Sequence, residues 1–179
     1  MTETDRQTER LENILFLIVI TFLAMAMRFF LFPIESGDYV QFLHPWYETM
    51  KENGGLLAIG MDIGDYMPPY FYILALLTYL PISDLFAIKM VSSAVDIVLA
   101  IFAANLAADG EPASRRRLAA YCIVLFLPSV FLNSAVWGQC DAIYVSALLA
   151  FLYFVRRGRS NAAVLAFSIS FVFKLQAVF

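Results

Sequence analysis

Charge is scarce in this sequence. Only 15% of the 179 residues are Asp, Glu, Lys or Arg, against about a quarter in soluble domains. The 12 basic residues form no long patch suited to a polyanion. That speaks against a nucleic acid as partner and equally disfavours a soluble α/β enzyme or a disordered tail. Cysteine is equally thin: Cys122 and Cys140 make neither a metal spacing nor a secreted disulfide framework. There is no Gly-rich phosphate loop, zinc motif or Ser/His/Asp order, and internal repeats and low-complexity segments are missing too. What the chain has instead is apolar mass. Hydrophobic residues make up 61% of it, with 17 Phe and 9 Tyr, which places it in the membrane class with lipids as its surroundings.

The opening MTETDRQTER mixes acids with arginines and leads into an apolar stretch without a small-residue cleavage site, the pattern of a retained signal anchor. Residues 13–32 are apolar apart from Arg28 and long enough to cross about 30 Å of hydrocarbon at roughly 1.5 Å per residue. Further apolar stretches cover 68–81, 85–108, 118–137 with its continuation 142–155, and 161–179. Two arginine clusters punctuate them, Arg115 to Arg117 and Arg156, Arg157 and Arg159, and the positive-inside tendency assigns both to the cytoplasm. The chain between the clusters then crosses twice, outward over 118–137 and inward over 142–155, turning outside at Gly138, Gln139, Cys140 and Asp141.

With a cytoplasmic N-terminus, parity puts 33–67 outside and requires an odd number of crossings before Arg115. Residues 85–108 are long enough to make one, whereas 68–81 would span only about 21 Å as a helix and reads as interfacial or re-entrant. Were 68–81 to cross as well, the N-terminus and Asp38 would exchange sides. The expectation is an all-α, polytopic helical membrane protein of about five spans plus external amphipathic and re-entrant helices. Its segments are a first span at 13–32, an external loop with interfacial helices at 33–84, and the remaining spans at 85–179.

Tyr39, Trp46, Tyr47, Tyr66, Tyr70 and Tyr72 stand among polar groups in and just after the external loop, as in an aromatic belt at a membrane surface. Residues 38–51 fit a short amphipathic helix lying flat, with Asp38 at its start and Gly54 and Gly55 at its end. Ionisable residues inside apolar spans cost free energy in lipid and need a partner or a use. In this topology Arg28, Lys89 and Lys174 converge on the external leaflet, the side of Asp38, Asp62, Asp65 and Asp141. Acids beside cations at the bilayer edge describe a site that could hold a lipid-linked phosphate and activate a hydroxyl.

Simpler readings stand beside this one. Arg28 could snorkel to the interface, and Asp62 could be a solvated loop acid. Lys89 and Asp96, seven positions apart on one helix face, could be a structural pair or the ion-coupling element of a transporter. A non-catalytic subunit that binds lipid phosphate would need the cations but not Asp38. Inverted repeats, the usual mark of a transporter, are not visible. Lys174 resists a bland reading most, because Gln176 is its only near polar neighbour in sequence.

Five elements occur in order: Gly37-Asp38-Tyr39 after the first span, Asp65-Tyr66-Met67-Pro68-Pro69 before a short helix, Lys89 with Asp96, NSAVWGQCDAIY from Asn133 to Tyr144, and SFVFKLQAVF from Ser170 to Phe179. The ordered set resembles the GT-C superfamily of polyprenyl-phosphate-sugar glycosyltransferases, specifically its bacterial and archaeal members similar to the GPI-anchor mannosyltransferases. It covers nearly the whole chain. It departs from the eukaryotic pattern at Met67, inserted between Tyr66 and the prolines, and at the WGQCD turn, which lacks histidines; the sugar and acceptor therefore do not carry over.

The resemblance implies direct displacement with inversion at the anomeric carbon, on the external face of the cell membrane. Asp38 would be the base and Asp65 would orient the acceptor or assist. Gln139, Asp141, Trp137, His44 and Tyr39 would bind substrate, and Lys89, Lys174 and Arg28 the donor phosphate. No metal or cofactor is implied. The partners would be membrane lipids, a polyprenyl-phosphate-linked sugar as donor and a glycan or lipid acceptor. Members of that superfamily are much longer, so the resemblance also implies the N-terminal part of a longer multi-pass catalytic module, inactive by itself.

Overall fold

The computed structural model describes residues 3–108 and 115–178. Phe179, at which the last expected span ends, and the connection 109–114 lie outside the described residues. Among the described residues 82% are helical and no strand forms, so the chain is all-helical. In order the helices are α1 (Glu3–Leu31), α2 (His44–Glu52), α3 (Pro68–Leu77), α4 (Asp84–Ala107), α5 (Arg115–Phe126), α6 (Pro128–Leu132), α7 (Asp141–Arg156) and α8 (Ser160–Phe173). A wide π-turn, Tyr39–Leu43, runs directly into α2, and a second, Asn133–Trp137, follows α6.

The sequence pattern predicts five crossings, but among the described residues only α1 and α4 qualify as single helices by length and composition. A third qualifies if α5 and the stretch Pro128–Trp137 count as one bent span. The shortfall has local causes. Pro128 pushes Leu127 into an extended conformation (φ −68°, ψ 122°) and offers no N–H, so the expected 118–137 span is broken by a bend of 44°. Lys174 is extended (ψ 121°), which stops α8 after 14 residues, about 21 Å. The 16 residues of α7 reach about 24 Å. Segment 68–81 folds as the 10-residue α3, about 15 Å long and too short to cross.

The two long helices are delimited by ordinary end chemistry. In α1 the polar opening continues the helix instead of preceding it, and Pro33 ends it. For α4 the Ser83 hydroxyl caps the start, accepting from the Phe86 N–H at 3.4 Å, within one residue of the expected boundary.

Among the described residues two cores hold the helices together. In one, Ala24 of α1 meets Ala100 and Ala104 of α4 beside Tyr121 and Leu125 of α5. Small side chains let these backbones approach closely. The other gathers Tyr39, Leu43, Trp46, Tyr47 and Met50 against α3 and the first turns of α4. This corrects the aromatic-belt expectation: Tyr39, Trp46, Tyr47 and Tyr70 are buried, and the 38–51 helix turns its apolar face into the protein. Among the belt residues it is Tyr72 that stays half exposed. The helix does end at Gly54 and Gly55, both in the left-handed conformation glycine favours. At the opposite end of α4 from Asp84, Arg156 donates to the Leu106 carbonyl (3.3 Å), which puts that arginine cluster away from Asp38.

Candidate functional site

Three chain segments far apart in sequence meet at Asp38. Beyond Pro33, the Ser36 hydroxyl accepts from the Tyr39 N–H and donates to the Trp137 carbonyl, both at 3.1 Å. It therefore starts the 38–51 helix and ties it to the end of the second π-turn. Gly138 takes a positive φ of 70°, which reverses the chain, and the Gln139 N–H closes the turn on the Asn133 carbonyl (3.0 Å). The reversal presents Gln139 to Asp38: its amide nitrogen donates to Asp38 Oδ2 at 2.7 Å. Tyr66 donates in turn to Gln139 Oε1 at 2.5 Å. Since both ends of the amide are engaged, its orientation is set, and so is one oxygen of the Asp38 carboxylate.

Tyr66 is wedged between Trp46 (ring centroids 5.1 Å apart) and Tyr70 (5.2 Å). Burial, reinforced by the fields of Cys140, Asp141 and Asp38, pushes its hydroxyl up to about 12, so it is a proton donor at neutral pH. Asp38, Asp65, Tyr66 and Gln139 line one cavity of about 260 Å³ with Phe42, Leu43 and Trp46. Two carboxylates and an amide beside aromatic faces can bind and deprotonate a hydroxyl-bearing ligand.

The other residues singled out in the sequence occupy separate neighbourhoods. Asp141 accepts from Lys174 and, at 3.3 Å, from Asn133, whose carbonyl also receives the Gln139 N–H. The Lys174 ammonium lies 5.4 Å from the Tyr144 ring centre. Tyr39 and His44 both meet Asp84 at the start of α4, at 2.8 and 2.6 Å, outside the lining of the acidic cavity. Trp137 is 46% exposed and contributes its carbonyl to Ser36.

Two of the three cations are wholly buried. Arg28 donates to Asp96 Oδ2 (3.0 Å) and to the carbonyls of Ala24 (3.1 Å) and Leu125 (2.8 Å). Ser134 also donates to Asp96 Oδ2, at 2.5 Å. The pair suggested between Lys89 and Asp96 therefore does not form. Lys89 donates to the carbonyls of Phe32 (3.0 Å) and Ile34 instead, a cation at the C-terminal end of α1. Among the described residues no cluster of three His, Cys, Asp or Glu side chains could hold a metal ion.

Sequence reasoning did not assign site roles to Ser36, Tyr66, Asp84 or Asn133. Tyr66, next to Asp65, and Asn133, at the head of NSAVWGQCDAIY, had a local signal in those motifs; Ser36 and Asp84 had none. Among the described residues, fold and site together define an all-helical protein with two or three helices long and apolar enough to cross a membrane and an acidic cavity at the Asp38 end of the bundle. No protein-family model matches the chain, and neither a curated protein nor a solved structure gives a significant match.

Proposed function

We propose that the chain carries the acceptor-activating site of a multi-pass membrane glycosyltransferase of the GT-C kind, which moves a sugar from a polyprenyl phosphate to a hydroxyl at the external face. The observation that carries this reading is the convergence of Asp38, Asp65 and Gln139 on one cavity. Asp38 takes the acceptor proton as the oxygen attacks the anomeric carbon, while the bond from that carbon to the lipid phosphate breaks and the configuration inverts. Tyr66 and Gln139 hold the carboxylate in place, and Asp65 orients the acceptor.

Lipid phosphate is already a good leaving group, so a cation that offsets its charge is the remaining requirement. Among the three candidates Lys174 is suited to it: it is one-third exposed and paired with a carboxylate that is equally exposed. Arg28 and Lys89, with no exposure, hold helices together. Membranes carrying the intact protein, given radiolabelled polyprenyl-phosphate hexoses, should form a glycoside of inverted configuration and release lipid phosphate. Retention of configuration, or no transfer from any such donor, would overturn the proposal.

A further inference from the structure

Past Asp141 the sequence contains no Asp or Glu, yet the connection between α7 and α8 carries Arg156, Arg157 and Arg159, all exposed. The other cluster, Arg115 to Arg117, has acids at hand: Asp109 and Glu111 precede it in sequence, and α5 packs on α1, whose opening holds Glu3, Asp5, Glu9 and Glu12. The α7–α8 turn is closed by its own backbone. Arg157 N–H donates to the Tyr153 and Phe154 carbonyls (3.2 Å each), Gly158 N–H to Val155 (3.0 Å) and Arg159 N–H to Phe154 (2.9 Å), with Gly158 at φ 66°. Three arginines are thereby held on one tight turn. Arg156 reaches the Leu106 carbonyl near the end of α4, and the Arg157 guanidinium lies 5.4 Å from the Tyr153 ring centre. The 24 residues of α4 run about 36 Å from Asp84, where Tyr39 and His44 meet it, to this turn. When α4 crosses a bilayer, the turn therefore stands at headgroup level in the leaflet opposite the acidic cavity. Toward the bilayer centre from it, Leu152 and Val155 of α7 and Val164 and Leu165 of α8 are each at least 48% exposed.

We infer that the α7–α8 turn binds the phosphate of an anionic phospholipid in that leaflet, whose acyl chains lie along the exposed apolar side chains of the two helices. Guanidinium groups match phosphate oxygens in bidentate pairs, and past Asp141 the hairpin supplies no carboxylate to compete with them. A zwitterionic phospholipid would bring its ammonium among three arginines. A free phosphate would meet the arginines but leave the apolar side chains uncovered. The lipid sits at the end of the bundle opposite Asp38 and takes no part in transfer there, so the inference stands or falls apart from the glycosyl-transfer reading. Each arginine close to an anionic lipid surface is worth about fivefold in affinity, so Arg157 and Arg159 together supply a preference of roughly twentyfold to thirtyfold. Arg156 is bound to the Leu106 carbonyl and helps to fix the turn.

A fluorophore beside the site tests this in the intact protein. Bimane is attached at Val164→Cys, with Cys122→Ser to remove the half-buried native thiol, and the protein is placed in phosphatidylcholine bilayers. Lipids with dibrominated chains quench the fluorophore on contact. Dibrominated phosphatidylglycerol should quench at a much lower mole fraction than dibrominated phosphatidylcholine. Arg157→Gln/Arg159→Gln, at two exposed positions, should abolish that preference, and Arg115→Gln should leave it intact. Arg157→Lys/Arg159→Lys, which keeps the charge and loses the planar fork, should reduce it severalfold. Equal quenching by the two lipids, or a preference unchanged in the glutamine variant, would overturn the inference. So would full retention in the lysine variant or equal loss in Arg115→Gln, since either means diffuse surface charge. A preference abolished by millimolar inorganic phosphate would mean a free-anion site and would overturn the lipid assignment as well.

Discussion

Arg28→Met removes a guanidinium that is completely buried where α1, α4 and α5 meet. The variant leaves Asp96 buried with Ser134 as its remaining hydrogen-bond donor. It also deprives the Leu125 carbonyl, in the last turn of α5 before the Pro128 break, of its donor at 2.8 Å. Removing one partner of a buried pair costs about 3–5 kcal/mol, and an orphaned buried carbonyl adds about 1–3 kcal/mol. Removing both charges in Arg28→Met/Asp96→Leu should recover most of this, because apolar replacement of a buried pair is often neutral. A double-mutant cycle from denaturant unfolding in detergent, followed by circular dichroism, should therefore give a coupling of at least about 2 kcal/mol. Additive effects, or a single variant within about 1 kcal/mol of wild type, would refute the structural role. Weaker donor binding at unchanged stability would return Arg28 to the phosphate site.

Gly138→Ala forces a side chain into the left-handed region (φ 70°), which costs about 1–2 kcal/mol; the unfolding midpoint should drop, and transfer should fall further because Gln139 follows this turn. Tyr66→Phe should lower kcat by about tenfold to a hundredfold at nearly constant KM by freeing the Gln139 amide to turn. The folded chain keeps the Tyr66 proton up to about 12 against 10.0 in its ordinary state, so stability from this group is complete below pH 10.0 and is lost as pH rises toward 12; Tyr66→Phe should flatten that limb of a pH-unfolding curve. Lys174→Met should weaken donor binding while the protein stays folded, whereas Lys89→Met, which uncaps the Phe32 and Ile34 carbonyls, should reduce the amount of folded protein recovered.

The long apolar run and the Ser83 cap made α4 legible to within a residue, because both signals are local. The reversal at Gly138 was legible for the same reason. Pairing was not. Lys89 and Asp96 lie seven positions apart on one helix, about 10 Å along its axis, too far for direct contact. The partner of Asp96 is Arg28, on another helix and 68 positions away. Aromatic residues among polar ones also read as a surface belt, since composition cannot show that the loop folds back and uses Tyr39, Trp46 and Tyr47 as core. Tyr66 went unassigned because its importance lies in what it touches, Gln139, 73 positions on.

Asp38→Asn bears most directly on the central claim. The amide keeps the shape and can still meet the acceptor, but it cannot take a proton at neutral pH. A general base contributes roughly 10²- to 10⁴-fold, so sugar transfer by the intact protein should fall by at least about two orders of magnitude while donor binding survives. Asp62→Asn, at an exposed acid outside the cavity lining, serves as control and should leave transfer near wild type. Near-normal transfer by Asp38→Asn, with or without loss in Asp62→Asn, would contradict the assignment of the base.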